Sequence, residues 1–143
     1  MFNQGYLHPV SDELFVFAWM FRPETELWTN NGNRILVGDL ADLPEVEAVR
    51  HQSMPPGSAL NFINSVAADS IDGHLYIQMN DLEGAAVFYS LEIPSLIPDQ
   101  RFIGHLNRQT NLFSTVITLN QGIPSFYCLD RSEGSVLVME PDS

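Results

Sequence analysis

The chain of 143 residues is 45% hydrophobic and 17% charged, the balance of one globular domain rather than a disordered segment. Eighteen acidic residues face six arginines and no lysine. The resulting net charge of -12 repels phosphate backbones and anionic lipid, which argues against nucleic acid and membrane surfaces as partners.

A single cysteine, Cys128, allows no internal disulfide and fits a reducing, cytoplasmic setting. Met1 to Gly5 carries no basic residue, so a secretory signal is not expected. The longest apolar run, Leu14 to Phe21, falls well short of the roughly 20 residues that cross a bilayer as a helix.

That run is the first predicted strand. Phe15, Phe17, Trp19 and Phe21 share one face and Leu14, Val16, Ala18 and Met20 the other, so both faces call for cover. A central position in a sheet meets that need, and so does burial against a neighbouring chain. Residues 22–26 are expected to break the strand. A short strand at Leu27-Trp28 then meets the tight-turn sequence Asn30-Asn31-Gly32-Asn33, and Arg34 to Gly38 returns. Asp42-Leu43-Pro44-Glu45 has the form of a helix start with an acidic cap, predicting a short helix over 43–51 with Val46 and Val49 inward. Ser58 to Ala68 fits a helix through Leu60, Ile63 and Ala67 and a strand through Leu60, Phe62 and Val66. The helix is preferred.

His74 to Leu91 and Pro124 to Glu140 each predict a hairpin, and they align without a gap fifty positions apart, from Gly84 to Gly134. A fifty-residue period suits propeller blades, but 143 residues supply only about three, too few to close a ring alone. The two hairpins are therefore expected in one sheet, their similarity accidental. Asn111 to Leu119 adds a β-branched strand, and Pro94 and Pro98 isolate the loop before Arg101. The expected fold is α+β, a single domain over 1–143 with a central, mostly antiparallel sheet of six to eight strands and one or two short helices.

The chain has no phosphate-binding loop, no Gly-x-Ser-x-Gly, no His-Glu-x-x-His and no Cys-x-x-Cys. His8, His51, His74 and His105 are scattered, and Cys128 lies within a predicted strand, so no metal, cofactor or catalytic residue is expected. Asp69 with Asp72, Asp81 with Glu83, and Asp130 with Glu133 are neighbouring carboxylates in turns. A carboxylate-dependent hydrolase is the weakest reading of them, because eighteen acids bring such pairs together by chance. Asp69-Ser70-Ile71-Asp72-Gly73 lacks the alternating spacing of a calcium loop.

Pro9 to Trp19, Asn30-Asn31-Gly32, and Asp69 to Glu92 (or equally Phe126 to Val138) together resemble motifs of the SUKH superfamily, found in a yeast cell-wall-synthesis regulator and in bacterial immunity proteins. The resemblance implies an α+β fold with a central antiparallel sheet and a toxin-neutralising role. The expected function is thus an acidic, non-enzymatic cytoplasmic protein of the immunity or antitoxin type. Asp69, Asp72, Asp81, Glu83, Asp130 and Glu133 would touch a basic protein partner. The alternative is an assembly subunit, a homo-oligomer included, with strand 14–21 buried against a neighbouring chain.

Overall fold

The computed structural model describes residues 4–51, 56, 60, 62–69, 73–79, 85–105, 112–120, 123–130 and 134–139. Period-two alternation is converted into three antiparallel sheets, in each of which every strand pairs with its neighbour in the chain. The first sheet holds β1 (Gly5–Pro9), β2 (Leu14–Trp19), β3 (Glu24–Thr29) and β4 (Arg34–Asp39). The second holds β5 (Ile63–Asp69), β6 (His74–Met79), β7 (Ala85–Glu92) and β8 (Pro98–His105). The third holds β9 (Leu112–Asn120), β10 (Ile123–Asp130) and β11 (Ser135–Met139). Helix α1 (Pro44–Arg50) lies in the connection from β4 to β5.

Local chemistry sets the punctuation. Gly32 takes φ +86 in the β3–β4 turn, a region that an L side chain resists, and its amide bonds back to the Thr29 carbonyl. Pro44 opens α1, where a missing N–H costs nothing.

The sheets stack face to face. Val16, Ala18 and Leu27 of the first sheet share one buried cluster with Leu75, Ile77, Met79, Val87, Tyr89 and Leu91 of the second. Val46 and Val49 of α1 and Leu40 join the same cluster. On the reverse face of the second sheet, Tyr76 and Phe88 meet Phe126 and Cys128 of the third. The Phe126 ring stacks on Phe88 with centroids 3.9 Å apart, and Tyr76 and Phe102 close around it. Covered on both faces, β6 is buried without a break from Leu75 to Met79.

β5 lies beside both β1 and β9, so the first strands of successive sheets adjoin and the sheets extend away from that shared edge. Four-strand meanders set in this way are the unit of a propeller blade.

Several expectations need correction. There is no single central sheet of six to eight strands: eleven strands fall into three small sheets among the described residues. The two similar hairpins, β6–β7 and β10–β11, occupy the same two places in successive sheets rather than sharing one. The hairpin β2–β3 holds the same place in the first sheet. Residues 63–69 form β5, not a helix, since pairing with β6 decides what local pattern left open. The break expected at 22–26 is confined to 20–23, because Glu24, Thr25 and Glu26 pair within the first sheet. The cap of α1 is Leu43 with no side-chain bond, while Asp42 is exposed.

Candidate functional site

The turn carboxylates do not form a described site. Asp69 ends β5 opposite His74, at the turn between the first and second strands of its sheet. Asp130 ends β10 opposite Ser135, at the turn between the second and third, so their backbones stand at different corners of different sheets. Asp72, Asp81, Glu83 and Glu133 lie outside the described residues, as do the side chains of Asp69 and Asp130. Cys128 is wholly buried against the second sheet.

Among the described residues two other carboxylates are buried, each 6% exposed. Glu45 projects from α1 onto the cross-strand pair Tyr89 and Arg101. It accepts the Tyr89 hydroxyl at 2.7 Å, and Arg101 through Nε at 2.9 Å and its terminal nitrogen at 2.5 Å. Burial, then the hydrogen bond and charge of Glu45, push the Tyr89 phenol far above its ordinary value. Tyr89 and Arg101 donate to one carboxylate, which ties the helix to the second sheet.

Glu26 occupies the outer face of the first sheet, the face turned away from the second. It accepts the indole N–H of Trp19, the indole N–H of Trp28 at 3.1 Å, and an ion pair from Arg34 at 3.6 Å. Register sets it in a row that crosses the whole sheet, Leu7–Phe17–Glu26–Val37. The next row places Phe15 parallel to Trp28, and Arg22 lies over the Trp19 ring at 4.4 Å. This face is half-covered by its own aromatic side chains, yet Leu7 stays 65% exposed and Val37 45%.

The opposite end of the stack is more open. On the outer face of the third sheet, Tyr127 opposes Val138 and Leu129 opposes Val136, with Ile123 on the same face. All five are exposed, Val136 to 61%. Such side chains, adjacent rather than scattered, mark surfaces that meet another apolar surface. Strand β11 pairs with β10 alone, so its outer edge carries free backbone donors and acceptors among the described residues.

An open depression lined by Glu13, Leu14, Thr29, Asn30 and Asn31 holds Glu13 as its one titratable side chain and brings together no acid–base pair. Among the described residues no three His, Cys, Asp or Glu side chains gather, and no helix is long and apolar enough to cross a membrane.

Sequence reasoning missed both buried carboxylates. A signal existed for Glu45, which stands four residues before Val49 and so shares its inward helix face. None existed for its partners, 44 and 56 residues away. No family model matches the chain, and no curated protein or solved structure is significantly similar to it.

Proposed function

We propose that the chain is a non-enzymatic assembly module whose outer sheet faces take neighbouring sheets as its inner faces take one another. One observation carries this reading: Ile123, Tyr127, Leu129, Val136 and Val138 lie exposed together on the last face of a stack whose internal faces are filled. The aromatic face around Phe15, Phe17 and Trp19 is the corresponding surface at the other end, which supports the alternative in which strand 14–21 meets a neighbouring chain. Blade-on-blade packing needs shape and apolar area, not reactive groups.

Photo-crosslinking in the source cell tests it. A photo-reactive phenylalanine analogue replacing Tyr127 or Leu7 should give a discrete protein adduct, and the same group at exposed Glu47 on α1 should not. Absence of adducts at both faces would overturn the reading.

The charge of -12 favours a second reading, an acidic cytoplasmic inhibitor of a basic protein, in keeping with the SUKH resemblance. Its acidic turns would speed encounter, so association should slow steeply with salt while dissociation changes little. An on-rate indifferent to salt would reduce the charge to a solubilising role.

A further inference from the structure

We infer that the neighbour is a second copy of this chain, docked head to tail so that the outer face of one copy's third sheet packs on the outer face of the other's first sheet. The inference rests on the assembly reading and names its partner. The stack itself sets the direction: the first sheet meets the second, and the second meets the third on its opposite face. A surface continuing that series from the third sheet is the outer face of another first sheet, not another third sheet.

Composition allows the contact. The described side chains of the third sheet include no charged group, so none of these brings a charge into the interface. Within the rows Leu7–Phe17–Glu26–Val37 and Phe15–Trp28 the one carboxylate, Glu26, already has two indole donors and Arg34, so covering these rows leaves no unpaired charge. Glu24 and Asp39, opposite each other in the adjoining row, stay at the rim. Leu7, Phe15, Phe17 and Val37 then face Ile123, Tyr127, Val136 and Val138, apolar against apolar.

Geometry supplies the stopping point. The first strands adjoin along one edge, and a head-to-tail contact about such an edge closes into a ring once its rotation completes the circle, where it would otherwise grow as a filament. Two copies bring three sheets each, six in all, within the about four to eight that propeller rings contain. Both contacts between the copies are then the same contact, made twice.

The test uses the whole chain and two exposed positions, Leu7→Glu on the first sheet and Val138→Glu on the third, with mass read by light scattering at micromolar concentration. The unaltered chain should show twice the monomer mass, and each variant alone should halve it while keeping its circular dichroism. An equimolar mixture of the two variants should restore dimer, because one intact first-sheet face meets one intact third-sheet face. Dissociation by only one variant would mean that like faces pair, which overturns the proposal. So would a mixture that stays monomeric, or a monomeric parent chain. A monomeric parent that still crosslinks to a different protein at Tyr127 would sink the second copy and leave the assembly reading standing. No crosslink at all would sink both.

Discussion

Tyr89 donates its hydroxyl hydrogen to Oε2 of Glu45 at 2.7 Å, joining the middle of the second sheet to the helix that precedes it. Arg101 approaches the other oxygen of the same carboxylate, so one side chain of α1 satisfies two adjacent strands. The contact is anchored on the apolar side by Val46 and Val49, which enter the core between the first and second sheets. The helix is held there by a polar clasp over an apolar base.

Glu45→Ala should therefore destabilise the fold by about 2–3 kcal/mol, chiefly by stranding the Tyr89 hydroxyl in a buried place. Glu45→Gln keeps an acceptor and loses the charge, and should recover part of that loss. Denaturant titration of the three proteins checks the order.

Alkaline pH should reveal the same clasp. Tyr89 holds its proton far more tightly when folded, so its contribution is fully present below pH 10.0, the ordinary tyrosine value. Above it the unfolded chain ionises while the folded one does not, and the contribution drains away. Tyr6, also raised by burial, adds to this limb. Tyr89→Phe should be less stable than the parent at neutral pH, with the gap narrowing above pH 10.0. His8 acts in the opposite direction. Burial lowers its value from 6.5, so stability present above that pH is lost as the solution is acidified, and His8→Gln should flatten that acid limb.

The two faces of β2 should respond differently to substitution. Val16 is wholly buried between the first and second sheets, and Val16→Asp should cost about 4 kcal/mol or more by burying an unpaired charge. Phe17 is half-buried on the outer face, and Phe17→Ser should cost only about 1–2 kcal/mol because part of its ring is already in water. Equal losses from the two, measured by thermal unfolding, would contradict the assignment of faces.

How much of this was legible in the sequence depends on the distance over which each decision is made. The hairpins 74–92 and 123–139 were readable because alternation and turn residues lie within a few positions of each other. The pair of β3 with β4 followed from the same signals, whereas the pairing of β2 with β3 was not read, because Glu24 to Glu26 looked like an interruption. β8 was missed because it starts at Pro98 and carries Asp99, Gln100 and Arg101, the polar make-up of an edge strand. Which hairpins share a sheet is settled by stacking, for instance Phe126 against Phe88, and alternation says nothing of that. The candidate faces were half legible. The apolar run 14–21 announced one of them, whereas Tyr127, Leu129, Val136 and Val138 read as ordinary strand residues until the stack ended there.

Phe126→Ala should cost about 3–5 kcal/mol by opening a cavity in the aromatic cup of Tyr76, Phe88 and Phe102. Because Phe126 and Cys128 point to the same buried side of β10, the variant should also expose the thiol. Labelling of Cys128 by a thiol reagent, slow in the parent chain, should speed up several-fold. Labelling that stays slow would mean that the third sheet is held by something other than this ring.

Every strand finds its sheet partner next to it in the chain, and that has a kinetic consequence. Closing a hairpin of a few residues removes little chain entropy, so each sheet can form before any distant segment arrives. The slow event is then the docking of preformed sheets on one another, above all the seating of α1 between the first two. A chain stalled at that stage would present its strands already paired and its apolar faces still bare.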